Sequence, residues 1–342
     1  MISLLVVNYR TAELAFEAIR SARAASSEPL QVVVVDNSCD PTEAGMLRPA
    51  ADTLLVSDSN RGYAAAINAG RRACEGSAIV VSNPDVTFDR HSIDRLVAAL
   101  DRASAAGPAL FWDSAGEWHL PPGDLLTGRE KIDEVLATRS RAWREQRDRR
   151  RILRRIAFWS LTETTAVRML SGAVMAIRTR DFDEAGGFDE RFPLYFEEND
   201  FLRRLTSTRK RISFVPDARC RHLYNQSAGQ EAEAAAARYA TSEMKYLEKW
   251  NGPFAARLLK KLERPLPPVA SRLAGAPVQL PDHDVVVEVS PLASFATAAG
   301  CFARSGSLSV PQEIIRSVRG PLYLRVVDRR TGIVLETDRI SA

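Results

Sequence analysis

The sequence is poor in several features that mark large classes of protein. Its four cysteines are scattered over 342 residues and form no C-x-x-C pair, which argues against a zinc site or a disulfide framework. No stretch approaches the ~20 consecutive apolar residues that a membrane-spanning helix needs. The apolar run at residues 2–7 follows no basic residue and ends at Asn8, unlike a signal peptide. We therefore expect a cytoplasmic protein with reduced thiols.

The signatures of several common enzymes are missing as well. No G-x-G-x-x-G follows the first predicted strand, and no G-x-S-x-G is present. Gly123 and Gly128 have the spacing of a P-loop, but Arg129 and Glu130 stand where that loop needs Lys and Ser or Thr. The four histidines show no H-x-x-x-H spacing. These absences argue against dinucleotide-dependent hydride transfer, P-loop hydrolysis and zinc peptidase chemistry.

The first hundred residues alternate between strand-like and helix-like hydrophobic patterns. Continuous apolar runs predict strands at residues 2–7, 30–35, 53–56 and 78–81. Helical spacing predicts helices at residues 12–25, 63–73 and 92–103, the last with Ser92 as its N-cap. This alternation predicts an α/β fold with helices on both faces of a mostly parallel sheet. Ligands of such sheets bind beyond the carboxyl ends of the strands. The polar residues at those positions are Asn8, Tyr9, Asp36, Asn37, Asn83 and Asp85.

Later segments indicate a second, smaller part of the chain. One or two basic helices are predicted at residues 129–158, strands at 171–177 and 212–215, and a helix at 231–250. The proline-rich stretch at 264–268 predicts a linker, and β-rich segments with a hairpin turn at 328–332 follow it. We expect a catalytic domain over residues 1–262 with a basic helical insertion at about 129–158. A linker over 263–277 and a small β-rich accessory domain over 278–342 complete the predicted organisation.

Basic residues are concentrated in one segment. Nine arginines and two acidic residues lie between Arg139 and Arg155, a local charge of +7 against +4 for the whole chain. Ile152, Ile156 and Trp159 fall on one helical face there, so residues 139–159 have the pattern of a basic amphipathic helix. Such a helix predicts peripheral contact with the anionic inner face of a membrane. The alternatives are an apolar face packed on the protein, with solvated arginines, or a contact in a homo-oligomer.

Eight segments together carry a resemblance to one enzyme family. In the first half of the chain they are residues 6–10, 33–38, 60–68 and 80–85. In the second half they are residues 170–173, 186–192 and 195–200, followed by His222. Their order and spacing resemble the successive motifs of the inverting glycosyltransferases of family 2, and most closely those of the rhamnosyltransferase-like branch.

The resemblance implies a GT-A (Rossmann-like) fold and an inverting, metal-dependent transfer of a sugar from a nucleotide-diphosphate donor. The candidate donors are dTDP-rhamnose and a UDP-sugar. The implied acceptor is a hydroxyl of a glycan or of a lipid-linked intermediate in bacterial surface polysaccharide synthesis, and no nucleic acid partner is expected. The alternative is a non-catalytic glycan-binding or assembly subunit that keeps the fold, although the joint presence of Asp36, Asp85, Glu198 and His222 speaks against it.

For the donor, the resemblance implies contacts with Asn8, Tyr9, Asp36, Asn37, Gly62, Asn68 and Asn83. Asp36 can accept the imide N–H of a pyrimidine while Tyr9 packs on the ring, and an Asx-turn is its alternative role. The family's D-x-D motif is Asn83-Pro84-Asp85 here, which leaves one carboxylate. Asp85 and His222 are therefore the expected ligands of Mg²⁺ or Mn²⁺. A turn that closes a strand and a structural histidine are the alternatives.

Inversion by a single displacement needs one carboxylate to take the proton of the acceptor hydroxyl. The family motif usually reads Glu-Asp with the Asp as base, whereas this chain has Glu197-Glu198. Glu198 is therefore the expected base and Glu197 the alternative. An acidic first turn that complements the helix dipole is the purely structural explanation of the pair. The neighbouring residues expected to shape the acceptor entrance are Asp189, Glu190 and Arg191.

Overall fold

The computed structural model describes residues 1–223, 232–265, 272–273, 278–318 and 320–340. The chain divides into two compact units. The first consists of Met1–Ala109, Gly123–Leu125 and Thr162–Trp250, and the second of Leu110–Pro122, Leu126–Leu161 and Asn251–Ala342. Every candidate site residue named above lies in the first unit. Within the described ranges, no helix is long and apolar enough to cross a membrane.

Four parallel strands form one side of the large sheet. They are β1 Ile2–Asn8, β2 Leu30–Asp36, β3 Thr53–Val56 and β4 Ala78–Ser82, in the spatial order β3-β2-β1-β4. Strand β1 pairs with β2 so that Asn8 lies opposite Asp36. Because these strands run in one direction, the polar residues that follow them meet at one edge of the sheet.

Three helices accompany these strands: α1 Ala12–Ala24, α2 Pro41–Leu47 and α3 Tyr63–Arg71. Helices α1 and α3 confirm the predicted positions. Helix α2 was not predicted, because its seven residues are too few to show a hydrophobic period. Its start is nevertheless marked in the sequence, since Asp40 caps it by accepting a hydrogen bond from the Thr42 backbone N–H at 2.8 Å, and Pro41 opens the first turn.

The other half of the large sheet is mostly antiparallel. Its strands are β5 Val86–Phe88, β6 Ala105–Phe111, β7 Thr165–Val167, β8 Val174–Arg178 and β9 Ile212–His222. The order continues from β4 as β8-β6-β9-β5, and β7 pairs with β9. The helices of this half are α4 Ser92–Ala99, α7 Thr179–Glu184, α8 Glu197–Ser207 and α9 Ala232–Asn251. The predicted α/β fold, with its large sheet and covering helices, is confirmed.

Two local predictions in this half were wrong. Strand β9 was expected to end at residue 215, but it continues to His222 because its last three residues pair with β5. His222 therefore stands at the end of a strand and not after a loop. Ser92 was expected to cap α4, but His91 takes that position with a left-handed φ of +62°, and the helix ends at Ala99. The Ser92 hydroxyl instead donates to the Asp89 carbonyl at 2.6 Å.

The second unit contains the β-rich C-terminal part, as predicted. Its strands are β10 Arg272–Leu273, β11 Val278–Ser290, β12 Ala299–Leu308, β13 Leu322–Asp328 and β14 Val334–Ile340, in the order β10-β14-β13-β11-β12. Its helices are α5 Gly128–Arg139, α6 Arg141–Trp159, α10 Pro253–Leu262 and α11 Gln312–Ser317. The predicted hairpin turn joins β13 to β14, with Gly332 at φ +68°. Most of the predicted linker over 263–277 lies outside the described residues.

Helices α5 and α6 belong to this second unit, whereas the sequence suggested an insertion in the N-terminal domain. The reason is the apolar face of α6. Ile152, Ile156 and Trp159 pack in one buried cluster with Val286 and Val327 of the C-terminal sheet. Because these partners are far away in sequence, helical periodicity alone does not reveal them. The compact units consequently divide the chain at different positions from the predicted domains.

The arginines of α6 are bound within the same unit. On one side, Arg147 and Arg150 pair with Asp133 of α5 at 3.4 and 2.7 Å. On the other side, Arg149 donates to the Thr331 carbonyl at 2.6 Å. Since the apolar face of α6 is buried, the segment 139–159 does not offer an amphipathic surface to a membrane. Packing on the protein, the alternative given above, is what the structure shows.

Candidate active site

Asp36 ends β2 with a fully buried side chain whose two oxygens have different surroundings. Oδ1 accepts hydrogen bonds from Asn8 Nδ2 at 2.9 Å and from the Ser38 backbone N–H at 3.0 Å, which is the Asx-turn. Oδ2 is also buried and has no hydrogen-bond partner among the described residues. A buried carboxylate oxygen without a donor is costly. Asp36 is therefore suited to accept an N–H from a ligand.

Asn8 holds the loop that carries Asp36. Its Nδ2 also donates to Ser38 Oγ at 3.1 Å and to Glu43 Oε2 at 2.9 Å, and its Oδ1 accepts from the Thr11 backbone N–H at 3.2 Å. The polar atoms of Asn8 are thus engaged by the protein itself. This side chain fixes the orientation of Asp36, so its contribution to donor binding would be indirect.

Asn37 and Gly62 connect the same loop to the start of α3. Asn37 Nδ2 donates to the Gly62 carbonyl at 3.3 Å, and Ser57 Oγ donates to Asn37 Oδ1 at 2.8 Å. Gly62 has φ +94°, and a Cβ there would lie 2.5 Å from the carbonyl oxygen of Pro193. Only glycine fits this close approach. Both residues shape the loop from within the protein.

Tyr9 lies directly after β1, one residue beyond the position opposite Asp36. Its side chain is half-buried, and the guanidinium of Arg10 lies 5.3 Å from the centre of its ring. Arg10 has a left-handed φ of +57°, which is uncommon for a residue other than glycine, asparagine or aspartate. A half-buried aromatic ring beside the Asp36 loop is consistent with the predicted stacking on a base.

Asp85 and His222 are brought together by the pairing of two strands. Strand β5 pairs antiparallel with β9 so that Val86 lies opposite His222. His222 Nε2 then lies 3.2 Å from Asp85 Oδ1, and the Leu223 backbone N–H donates to the Asp85 carbonyl at 3.0 Å. Both residues are buried. The two predicted metal ligands therefore form a neighbouring pair.

These two residues fit a divalent cation that is shared with a ligand. Mg²⁺ and Mn²⁺ prefer oxygen donors and commonly use one or two carboxylates together with water and phosphate oxygens. Asp85 offers a carboxylate, the donor type that suits Mg²⁺ and Mn²⁺, and His222 offers an imidazole nitrogen beside it. In the described ranges no cluster of three or more His, Cys, Asp or Glu side chains is arranged to hold a metal. The pair therefore suits a cation that arrives with a diphosphate.

The loop that contains Asp85 lies beside the start of α8. The Asn83 backbone N–H donates to the Ala173 carbonyl at 2.8 Å. At the preceding residue, a Cβ on Gly172 would lie 3.3 Å from Cγ of Glu198. Asn83 itself is half-buried. Two backbone segments thus link the metal candidates to the predicted base.

Glu197 and Glu198 open α8 after two residues in a strained conformation. Tyr195 and Phe196 have left-handed φ values of +67° and +69°. Consecutive non-glycine residues in that region cost of order 1–3 kcal/mol each and tend to cluster at functional sites. The ring of Phe196 packs at 5.2 Å from that of Tyr246 on α9, which helps to hold the turn. The carboxyl pair is consequently fixed by packing and not left on a free helix end.

Both carboxyl groups are protonated more readily than an exposed glutamate. Oε2 of each is buried and has no hydrogen-bond partner within the described ranges. Burial raises the pKa of Glu197 well above its ordinary value, and the charge of Glu198 raises it further. Burial also raises the pKa of Glu198. A carboxylate with a raised pKa is a better proton acceptor, which is what a general base for a hydroxyl requires.

Tyr63 is a site residue that the sequence analysis did not identify. Its backbone N–H donates to the Pro193 carbonyl at 2.6 Å, and its hydroxyl is buried with no partner in the part of the chain described. Burial raises the pKa of Tyr63, and the charges of Glu197, Glu198 and Asp85 add to this rise. The hydroxyl therefore faces the acidic cluster. An aromatic residue at the start of a helix is most often a core residue, so the sequence contained no specific signal.

Asp200, two residues after Glu198, helps to hold α8 in place. It is fully buried and accepts from Arg204 Nε at 2.8 Å and from Trp250 Nε1 at 3.0 Å. Lys249 Nζ lies 2.6 Å from its Oδ1. These contacts tie α8 to the end of α9 and leave Asp200 with a structural role.

The three residues predicted at the acceptor entrance form ion pairs within the first unit. Although burial opposes its charge, hydrogen bonds from Arg191 and Lys249 hold the pKa of Asp189 below its usual range. Glu190 Oε2 lies 3.3 Å from Arg61 Nη2. Asp189 and Glu190 thus hold the segment before α8 in place. None of these contacts directs either side chain toward Glu198.

Asn68 fastens the same segment from α3. Its Nδ2 donates to the Phe188 carbonyl at 2.8 Å and to Glu190 Oε1 at 3.1 Å, and its Oδ1 accepts from the Phe188 backbone N–H at 2.9 Å. The side-chain amide thus donates to and accepts from the backbone of one residue, which explains why an asparagine occupies this position. Asn68 was predicted at the donor; these contacts show its part in holding the segment, and donor contact stays a prediction.

Comparison with known proteins gives the family context. A family model described as "Glycosyltransferase like family 2" matches residues 1–241. Among curated proteins, the chain is similar to an N-acetylglucosaminyl-diphospho-decaprenol L-rhamnosyltransferase of Mycobacterium tuberculosis, with 28% identity over 270 residues, which cover 70% of this chain and 82% of the relative. It is also 35% identical to the succinoglycan biosynthesis protein ExoO of Rhizobium meliloti over 116 residues, or 33% of this chain and 32% of that protein.

Among solved structures, the chain is similar to the mannosyltransferase PcManGT of Pyrobaculum calidifontis, solved in complex with GDP-Man and Mn²⁺. The TM-score is 0.48 and the identity 16%, over 75% of this chain and 69% of that one. A TM-score and a sequence identity this low support no statement about the function of this chain.

Proposed function

The chain belongs to the glycosyltransferase-like family 2, and from this premise we propose that it is a metal-dependent, inverting glycosyltransferase. We propose that it transfers a sugar from a pyrimidine nucleotide-diphosphate donor to a hydroxyl of a lipid-linked glycan. The observation that carries the proposal is the position of the Glu197–Glu198 carboxyl pair beside the loop of Asp85, which itself adjoins His222.

The donor base is proposed to bind at Asp36. Its buried Oδ2 is suited to accept the imide N–H of thymine or uracil, since it has no donor among the described residues. Tyr9 would cover one face of the ring. The two pyrimidines present the same imide N–H, so Asp36 does not distinguish dTDP from UDP. dTDP-rhamnose is supported by the curated relative named as a rhamnosyltransferase, and a UDP-sugar remains the second candidate.

The diphosphate is proposed to lie against Asp85 and His222 together with Mg²⁺ or Mn²⁺. A bound cation supplies positive charge that stabilises the leaving nucleoside diphosphate. Asp85 and His222 hold it on the protein side, and the pairing of β5 with β9 fixes the distance between them. Neither side chain needs to move a proton in this role.

The acceptor hydroxyl is proposed to give its proton to Glu198. The oxygen then attacks the anomeric carbon from the side opposite the diphosphate, so that one bond forms as the other breaks and the configuration inverts. Glu197 and Tyr63 border the same cluster, and the burial of Glu197 favours its neutral form. In this arrangement Glu197 does not compete for the proton, and only one carboxylate is needed as base.

The acceptor class rests on the curated relative. That protein is named for an N-acetylglucosaminyl-diphospho-decaprenol acceptor, and the chain covers 82% of its length. A comparable lipid-linked, diphosphate-bearing glycan is therefore the proposed acceptor here. The alternative of a non-catalytic subunit is disfavoured because three unpartnered buried oxygens, on Asp36, Glu197 and Glu198, have no structural use in the described residues.

The test is donor binding followed by transfer. The purified chain is titrated calorimetrically with dTDP-rhamnose, UDP-sugars and GDP-mannose, with and without Mn²⁺. Transfer to a short-chain N-acetylglucosaminyl-diphospho-lipid is then measured, and the anomeric configuration of the product is read by NMR. We expect metal-dependent binding of a pyrimidine donor and an inverted product. Preference for the guanine donor, metal-independent binding or a retained configuration would contradict the corresponding part of the proposal.

A further inference from the structure

Helix α10 (Pro253–Leu262) exposes large apolar side chains in the second unit. Phe254 is 81% exposed, the highest value among its large hydrophobic residues, and Leu258 is 45% exposed. The two are four residues apart, so they lie on one side of the helix. Ala256 is fully buried and anchors the opposite side. The helix therefore has an apolar side that packs on its unit and a second apolar strip directed outward.

The outward strip is bordered by positive charge. Arg257 and Lys261 are exposed and fall next to Phe254 and Leu258 on the helix surface. Lys260 follows, paired at 2.8 Å with Glu263, whose other oxygen lies 3.0 Å from the buried Lys131. Positions 253 to 264 contain four basic residues and one acidic residue, Glu263. The strip thus combines bulky apolar groups with exposed basic side chains.

This composition indicates what the surface binds. A protein partner would bury Phe254 and Leu258 but would gain little from cations placed around them unless it carried matching acids. An anionic bilayer satisfies both features, because apolar side chains enter the headgroup boundary while lysine and arginine contact lipid phosphates. The neighbouring helix α5 also exposes Ile132 and Leu136, which are 50% and 37% exposed, and so extends the apolar character of this unit.

We propose that the outward strip of α10, consisting of Phe254, Arg257, Leu258 and Lys261, is the surface through which the protein docks on an anionic lipid bilayer. This inference rests on the proposed function, since a lipid-linked acceptor lies at such a surface. It assigns membrane contact to α10 and not to the arginine-rich α6, whose apolar face is buried and whose arginines are engaged within the unit.

The experiment uses the full chain and vesicles of phosphatidylcholine, with or without phosphatidylglycerol, in a co-sedimentation assay. The wild type is expected to bind only vesicles that contain phosphatidylglycerol, and added salt should weaken the binding. Replacing Phe254 and Leu258 together by serine should weaken the partition coefficient at least about tenfold. Replacing Arg257 and Lys261 together by glutamine should weaken it about thirtyfold, since each basic residue near an anionic surface contributes about a fivefold factor.

The matched control removes two positive charges from α6. Arg150→Gln combined with Arg154→Gln changes the net charge by the same amount, and these arginines pair with Asp133 and Glu130. This variant should bind vesicles nearly as well as the wild type. Phe254 is so exposed that the serine variants should unfold at the wild-type temperature, which thermal denaturation checks.

Several outcomes would overturn the proposal: equal sedimentation of the α10 variants and the wild type, equal loss in the α6 control, or no dependence on phosphatidylglycerol. Self-association that disappears with Phe254→Ser would also overturn it and would identify the strip as a contact between copies. Donor binding by calorimetry is measured on the same preparations without vesicles. If the wild type binds the donor but no vesicles, only the docking proposal fails. If the wild type binds no donor, the proposed function is refuted.

Discussion

His222 Nε2 lies 3.2 Å from Asp85 Oδ1 because β9 continues far enough to pair with β5. The strand pairing places a carboxylate and an imidazole at one point of the sheet edge, although they come from distant parts of the chain. We propose that this pair supplies two of the ligands of a cation that arrives with the diphosphate. The remaining ligands would be water and the oxygens of a bound diphosphate.

Replacing Asp85 by alanine should abolish the metal dependence of donor binding. Without the carboxylate, a cation shared with the diphosphate retains only the imidazole, and donor affinity in Mn²⁺ should fall by more than about 100-fold. His222→Ala should give a smaller loss, because the carboxylate remains. Calorimetric titration of the donor with and without Mn²⁺ measures both effects.

The matched control is Asp89→Ala just beyond the other end of β5, where the exposed carboxylate lies 3.5 Å from Arg219 Nε. It should leave metal-dependent affinity unchanged. An Asp85→Ala protein that still binds the donor more tightly in Mn²⁺ would show that the cation is held elsewhere.

Asp36→Asn should weaken donor binding without weakening the fold. Asparagine keeps an oxygen for Asn8 and Ser38 at the Oδ1 position, but its amide nitrogen then replaces the buried Oδ2. Two N–H donors would face each other at the base, and the lost hydrogen bond to a charged group corresponds to about 1.5–3 kcal/mol, or roughly ten- to more than a hundredfold in affinity. Asp40→Asn, at the exposed cap of α2, is the control. Undiminished affinity in Asp36→Asn would refute base recognition by this residue.

The parallel half of the sheet was predictable because its strands and helices show their periods within single segments. The continuous apolar runs of β1, β2 and β4 are buried on both faces, and that pattern is visible without partners. Their end residues Asn8 and Asp36 were consequently identified from position alone. Periodicity does not reveal how distant segments pair or pack. The continuation of β9 to His222 and the packing of α6 on β11 were therefore not predicted.

The candidate site was predictable at the level of residue types and less so at the level of roles. Asp36 lies at the end of β2, and Asp85 lies beside His222, while their roles toward a ligand stay predictions. Asn8, Asn37 and Asn68, in contrast, spend their hydrogen-bonding groups on loops, and a motif does not distinguish such support from ligand contact. Tyr63 was missed because the charges around its hydroxyl come from two segments that are distant from it in the sequence.

The contact between α6 and the C-terminal sheet contains a buried ionic network that should be costly to break. Glu288 Oε1 lies 2.9 Å from Arg155 Nη2, and its Oε2 lies 2.6 Å from Arg325 Nε. Arg325 also pairs with Asp148 of α6 at 2.7 Å. Glu288→Ala would leave two buried guanidinium groups short of a partner, so the free energy of unfolding should fall by about 3–5 kcal/mol.

Urea unfolding followed by tryptophan fluorescence measures this loss, since Trp159 lies in the same cluster. Glu145→Ala is the control, because the Arg141–Glu145 pair is exposed and such surface pairs contribute little to stability. Equal effects of the two substitutions would mean that the buried network adds nothing beyond a surface pair.

Stability should decrease as the pH rises above the ordinary pKa of glutamate. The pKa values of Glu197 and Glu198 are raised in the native state, so between the unfolded and the native values the native protein holds protons that the unfolded chain has released. The free energy of unfolding then falls with increasing pH. Glu197→Gln removes the group with the stronger shift, and its unfolding free energy should change less over the same pH range.

The pH series is measured by urea denaturation of the wild type, Glu197→Gln and the exposed-site control Glu28→Gln. The control should follow the wild type. A wild-type stability that increases through this pH window would contradict the raised pKa of the pair.

Glu198→Gln should eliminate most of the transfer while donor binding is retained. The amide fills the same space beside Gly172 but has no site that can accept the proton of the acceptor hydroxyl, and loss of a general base typically costs about 10²- to 10⁴-fold in rate. Glu197→Gln keeps the base and replaces a group whose burial favours its neutral form, so it should retain most of the activity. Its pH–rate profile should resemble that of the wild type, because burial, and not the charge of Glu197, raises the pKa of Glu198. Initial rates with a fixed donor and a short-chain lipid-linked acceptor, together with calorimetric donor affinities, separate binding from chemistry. If Glu197→Gln is inactive and Glu198→Gln is active, the base is Glu197, and α8 presents its first residue to the acceptor instead of its second.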